Sequence, residues 1–221
     1  MKTECFLGID TCTAWLNLAV VDRSRHVLGE CHQEVKTHAT RLIPNVETLL
    51  NAGPERLVPA AIGVVHGPGS FTGLRVGLAA AQGLGLAWGV PVYGVGSLYA
   101  LALACGVRSG RGAALLDARR RQVYLQCFEK DGDEARALGP PVAAAPGDVS
   151  TEGLDWCAGN ILDSVGGWPA GCRRFPGVPN LAVPAACQAL AALGEGRPAP
   201  VLEPVYVRPP DAKLPSRQVR R

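Results

Sequence analysis

Few stretches of this 221-residue chain put reactive side chains at spacings that could do chemistry. The first is Asp10-Thr11-Cys12-Thr13, at the end of an apolar strand-like run. Hydroxyls and backbone N–H groups there could meet phosphate oxygens while the aspartate orients a metal-bound water. The same residues also suit a polar hairpin turn, and no glycine stands among them to let a phosphate approach the backbone. A second candidate is Ser70, close to His66. It sits in G-x-G-S-F rather than in the strained G-x-S-x-G elbow, so it reads better as a helix cap than as a nucleophile. Metal chemistry has little to draw on, because His26, His32, His38 and His66 are the only histidines and none pair at i, i+4 on a helix. The eight cysteines contain no C-x-x-C pair, match no zinc or disulfide framework and read as reduced, small core hydrophobes. There is no G-x-x-x-x-G-K-[ST] phosphate loop. These residues predict no catalytic set, no metal and no cofactor.

The elements that position these residues follow from periodicity. Residues 6–10, 16–21 and 26–33 read as three strands joined by two short turns, which is an antiparallel meander. Residues 38–50 place Leu42, Val46, Leu49 and Leu50 on one helical face, with Pro44 in the first turns. Residues 60–65 form a buried strand that ends at Gly67-Pro68-Gly69. Ser70 then caps a long helix carrying Gly73, Gly77, Gly83 and Gly85. Those four glycines cost roughly 3–4 kcal/mol of helix propensity. Gly73, Gly77, Ala81 and Gly85 recur every four residues and line one face as a smooth groove. That face suits close packing inside the protein or docking of a second helix. A strand from 91 and a helix over 97–104 follow. A glycine- and charge-rich boundary lies at 106–112, then a strand pair over 113–117 and 122–128 bearing the Asp117-Ala118-Arg119-Arg120 turn. Residues 131–180 show few periodic runs, and 185–193 read as a last helix. The order predicts an α/β chain with a mixed sheet covered by helices, divided into residues 1–106 and a smaller second part, 107–221.

The segment GPGSFTGLRVGLAAAQGL at 67–84 resembles the signature of the TsaB (YeaZ) family, which serves in the bacterial synthesis of threonylcarbamoyladenosine (t6A) in tRNA. Four further segments agree in order: FLGIDTCTAWLNLAVVD at 6–22, HATRLIPNVETLL at 38–50, PVYGVGSLYALA at 91–102 and LLDARRRQVYLQCFE at 115–129. A weaker echo, PVYVRPPDAKLP, lies at 204–215, and the resemblance is thin through the middle of the second half. It implies an actin/sugar-kinase-like (ASKHA) fold with a reduced second subdomain. It also implies a non-catalytic scaffold that binds and activates the TsaD transferase. By the same resemblance, the helices beginning near His38 and Ser70 meet two TsaD helices through His38, Leu42, Val46, Leu49, Ser70, Gly73, Leu74, Gly77 and Ala81. The TsaE ATPase joins the pair, a homodimer can form when the chain is alone, and tRNA is met only through the complex. Asp10, Thr11 and Thr13 become a vestigial phosphate loop. In the related TsaD family two metal-ligand histidines stand four apart on the matching segment, where this chain has Ser97 and Leu101. The competing reading is an actin-type small-molecule kinase or ATPase that uses Asp10, Thr11 and Thr13. A metallopeptidase lacks the base, oxyanion donors and metal it would need.

Composition narrows the class further. Hydrophobic residues make up 48% of the chain and the net charge is +3, which suits a soluble globular protein of one large domain or two small ones. No apolar run approaches the length of a membrane span, and the amino end lacks a signal-peptide core, which predicts a cytoplasmic protein. Five basic residues after Val207 (Arg208, Lys213, Arg217, Arg220 and Arg221) concentrate the positive charge in the tail. A fold that grips RNA by itself needs a concentrated basic face, and only the tail offers one.

Overall fold

A computed structural model describes residues 4–208; Lys213, Arg217, Arg220 and Arg221 of the basic tail lie outside the described residues. The first half builds one five-stranded sheet. Strands β1 (Cys5–Asp10), β2 (Trp15–Asp22) and β3 (Val27–Glu34) form the antiparallel meander, while β4 (Pro59–Gly67) and β5 (Val92–Gly96) join parallel to β1. The order across the sheet is β3-β2-β1-β4-β5. β1 is buried on both faces, as its unbroken apolar run requires. Cys5, Leu7 and Ile9 face helices α1 (His38–Leu50) and α2 (Phe71–Trp88), packing in one cluster with Leu42, Val46, Leu50, Leu78 and Ala81. Phe6 faces the other side with Val21, Ala61 and Tyr93, under helix α4 (Ala182–Gly194).

The last helix belongs to this first sheet. The sequence-based division at residue 106 assigned it to the second half, but α4 lies directly on β1 and β4. The physical reason is a pair of glycines. A Cβ on Gly8 would lie 1.8 Å from the carbonyl oxygen of Ala182, and one on Gly63 would lie 1.9 Å from that of Ala185. Only a helix of small residues can settle so closely on a sheet, and α4 presents Ala182, Ala185, Ala186 and Ala189, all buried.

The second half is a six-stranded sheet of β6 (Ser109–Asp117), β7 (Val123–Asp131), β8 (Glu134–Ala137), β9 (Val142–Ala144), β10 (Trp156–Gly159) and β11 (Arg173–Pro176). Four of these strands occupy the stretch that looked aperiodic, because they are only three or four residues long. A strand so short completes too little alternation to register as a pattern. Helix α3 (Ser97–Ala104) lies between the halves, its Leu98 and Leu101 in one core with Leu74, Leu116, Phe128 and Trp156.

Candidate functional site

Between the two sheets opens a cleft of about 1060 Å³. Its walls are the β1–β2 turn, the start of α1, the amino end of α2, the β6–β7 turn, Asn160 and the segment around Tyr206. Thr13 and His38 line it, and so do Ser70 and Gly73 at the start of α2.

The β1–β2 turn directs most of its chemistry inward. Asp10 is fully buried and both carboxylate oxygens are occupied: Oδ1 accepts from Cys12 N at 2.8 Å and Oδ2 from Asn17 Nδ2 at 2.7 Å. Asn17 Oδ1 accepts in turn from His32 Nδ1 at 2.6 Å, and the His32 ring stacks on Trp15 with centroids 4.3 Å apart. Burial pushes the Asp10 carboxyl above its ordinary value, and the hydrogen bonds from Cys12 and Asn17 pull it partly back. Thr11 is buried as well; its Oγ1 donates to the Gly73 carbonyl at 2.8 Å, stitching the turn to α2. Of the three residues expected in a phosphate loop, only Thr13 faces the cleft, and its Oγ1 accepts from Trp15 N at 3.2 Å. The Asp10–Asn17–His32 chain was not legible in the sequence, since period-two alternation says which residues share a face but not which meet across strands.

The raised carboxyl sets an expected pH response. A buried acid whose folded-state pKa exceeds its unfolded value takes up a proton first in the folded state, so its contribution to stability improves as pH falls. The stability of the wild-type chain relative to Asp10→Asn should therefore rise as pH falls from neutral through the raised folded-state value, and level off below about 4, the unfolded carboxyl value. Denaturant unfolding of both proteins across that range checks the sign; a difference that shrinks on acidification contradicts it.

Ser70 caps α2 as the sequence predicts, its Oγ accepting from Gly73 N at 3.3 Å. His66 instead directs Nδ1 at the Glu203 carbonyl, 3.1 Å away. Ser97 and Leu101 are both fully buried, and Ser97 Oγ donates to Pro68 O at 2.5 Å. Among the described residues no cluster of three His, Cys, Asp or Glu side chains could hold a metal ion, and no helix is long and apolar enough to cross a membrane.

Six residues assigned to a docking face lie inside the chain's own packing. Leu42, Val46, Gly73, Leu74, Gly77 and Ala81 are buried against the first sheet and the β1–β2 turn. A Cβ on Gly73 would stand 2.0 Å from Thr11 O, one on Gly77 2.4 Å from Thr11 Oγ1, and one on Gly85 2.4 Å from Val92 Cγ2. Gly73 and Gly77 are therefore the seat of the Thr11 turn, while Gly85 makes room for Val92. His38 and Leu49 are half-buried, with His38 Nε2 3.3 Å from Trp15 O and Leu49 beside Gly29. Only Ser70 of the expected set is exposed.

The outward faces of the two helices carry different residues. On α2 they are Phe71, Thr72, Arg75, Ala79, Gln82 and Leu86; on α1, Ile43 stands out. Leu86 is 88% exposed. The Arg75 guanidinium lies 3.8 Å above the Phe71 ring centroid and donates from Nε to the Tyr206 hydroxyl at 3.0 Å. These three residues form a knob at the mouth of the cleft. Across it, Arg119, Arg120 and Arg121 all hold left-handed backbone, at φ 62, 51 and 58. Asp117 Oδ1 secures that turn by accepting from Arg119 N at 2.7 Å. Each left-handed residue costs about 1–2 kcal/mol.

The family model of TsaD, described as tRNA N6-adenosine threonylcarbamoyltransferase, matches residues 32–158. An uncharacterized protein of Mycobacterium tuberculosis is 39% identical, over 96% of each chain. Escherichia coli tRNA threonylcarbamoyladenosine biosynthesis protein TsaB is 31% identical, over 91% of this chain and 94% of that protein. Among solved structures, YeaZ from Pseudomonas aeruginosa superposes with a TM-score of 0.75 at 28% identity, covering 92% of this chain and 99% of that one. The likeness runs through both sheets, so the actin-like α/β fold holds for the whole described chain. Motif, fold and a TsaB relative matched over most of both chains agree, and the chain belongs to the TsaB (YeaZ) family.

Proposed function

We propose that this chain is the accessory subunit of a tRNA t6A-forming complex, docking and activating a TsaD-type threonylcarbamoyltransferase without performing the transfer itself. The observation that carries this reading is the β1–β2 turn. Asp10 spends both oxygens and Thr11 its hydroxyl on hydrogen bonds within the fold, so neither reaches into the cleft to orient a metal-bound water or a phosphate. Buried Ser97 and Leu101, standing where the transferase family has metal-ligand histidines, support the same conclusion. Leucine cannot ligate a metal. On this reading a TsaE-type ATPase joins the pair, tRNA is met only through it, and an isolated chain can pair with itself.

The docking surface we propose is the outward face of α1 and α2, with Ile43, Phe71 and Leu86 as apolar anchors and Ser70 at its edge. Such exposed large side chains mark an interaction site when they share one face. Co-expression with the TsaD protein of the same genome tests the reading, which predicts a stable complex that restores t6A to tRNA. The double substitution Phe71→Glu with Leu86→Glu should weaken that complex about 30-fold or more, as loss of interface anchors does. The monomer should melt within about 2–4 °C of wild type, since each of the two surface changes costs about 0.5 kcal/mol or less. Normal binding by the double variant would move the interface elsewhere. Failure of the wild-type pair to form, or ATP turnover by the chain alone that Asp10→Ala abolishes, would overturn the accessory-subunit reading.

A further inference from the structure

Two cysteines with no recognisable spacing in the sequence are brought together by the second sheet. Cys157 lies on β10, fully buried among Leu154, Leu162 and Val165. Cys172, just before β11, is half-buried and packs on the same cluster. β10 and β11 run parallel with Cys157 opposite Arg174. Cys172, two residues before Arg174, therefore projects to the same sheet face as Cys157, and both side chains pack on one cluster. Both thiols are free.

We propose that Cys157 and Cys172 form an oxidisable dithiol, a modification site at which a small peroxide closes an intrachain disulfide between β10 and the start of β11. The roles of the two sulfurs follow from their surroundings. Burial first, and the facing Cys172 second, push the Cys157 thiol up to about 12, so it keeps its proton. Cys172, the more accessible sulfur, meets the oxidant. Its sulfur gives up the thiol proton as it attacks one oxygen of hydrogen peroxide; the O–O bond breaks, a sulfenic acid results, and the departing hydroxide takes that proton as water. The Cys157 sulfur then displaces the sulfenic hydroxyl. The S–O bond breaks as the S–S bond forms, and the departing hydroxide takes the Cys157 proton as water. Two thiols thus lose two electrons and two protons to one peroxide, which becomes two waters. The bond would fasten the strand pair that leads to Asn160, whose Oδ1 accepts from Asp117 N at 3.0 Å on the cleft edge. The inference is independent of the proposed function.

Both cysteines fall on one arginine-bounded peptide, residues 137–173, with Asp163 between them. The test treats the full native chain with equimolar hydrogen peroxide, quenches, unfolds, alkylates and maps the peptides without reduction. The expected result is a 137–173 peptide that is unalkylated and about 2 Da lighter than its reduced form. Cleavage at its aspartates, Asp148, Asp155 and Asp163, should leave the two cysteine-bearing parts linked until a dithiol reductant is added. In Cys172→Ser, Cys157 should remain fully alkylatable after the same treatment. An oxidised or unchanged Cys172 without a link to Cys157 overturns the proposal, as does peroxide loss of Cys157 in Cys172→Ser.

Discussion

Replacing Gly73 with alanine should lower the melting temperature of the isolated chain by about 6–12 °C. The added Cβ would stand 2.0 Å from the Thr11 carbonyl oxygen, a backbone atom that cannot rotate aside. Overpacking of this kind costs about 3 kcal/mol at the upper end of its usual range. For a domain of this size each kcal/mol lowers the midpoint by about 2–4 °C. The same displacement would break the Thr11 Oγ1–Gly73 O hydrogen bond that ties the β1–β2 turn to α2. Gly83 is the internal control. It lies in the same helix, but an added Cβ there meets nothing within 4 Å, so Gly83→Ala should stabilise the chain by up to about 1 kcal/mol through helix propensity alone. Thermal unfolding of the two variants checks both signs. An unchanged midpoint for Gly73→Ala together with lost partner binding would return the glycine stripe to the role of a docking face.

The second large effect is expected at Trp156, the largest fully buried side chain. Its ring rests on Gly112, where a Cβ would lie 2.1 Å from the indole, and its Nε1 donates to Gly110 O at 2.9 Å. It joins β10 to the core shared with α3 and with Leu74 of α2. Trp156→Ala should cost about 3–5 kcal/mol, the usual range for emptying an aromatic site in a packed core. At about 2–4 °C per kcal/mol that lowers the midpoint by roughly 6–20 °C. Trp156→Phe should fall between, because it refills part of the volume but leaves the Gly110 carbonyl without its donor. Denaturant titration of the three proteins orders them; equal stability of Trp156→Ala and wild type would mean the two halves do not share this core.

Much of this architecture was legible in the sequence, for physical reasons that differ by element. The helices over 38–50 and 97–104 match the observed α1 and α3, because apolar spacing and flanking breakers are local properties of the chain. The meander was legible because its strands run long enough to alternate and its turns are short. Ser70 declared the start of α2 because capping chemistry needs only the next three residues. The glycine stripe was visible as a pattern, since its four-residue period is also local.

What the stripe packs against was decided only by tertiary structure. A smooth helical face is the same object in sequence whether it receives a partner's helix or the chain's own Thr11 turn, and the closing contact spans 62 residues of sequence separation. The place of α4 was hidden for the same reason, because Gly8 and Gly63 lie more than a hundred residues from the alanines that settle on them. Asp10, Thr11 and Thr13 could be named as a candidate loop from residue type alone. Their orientation, two inward and one toward the cleft, depends on Asn17 and Gly73, which lie beyond the loop itself. Residue types and periods fix which chemistry a chain carries and which faces are apolar. Long-range contacts decide which of those groups are consumed in holding the fold and which remain to meet a partner.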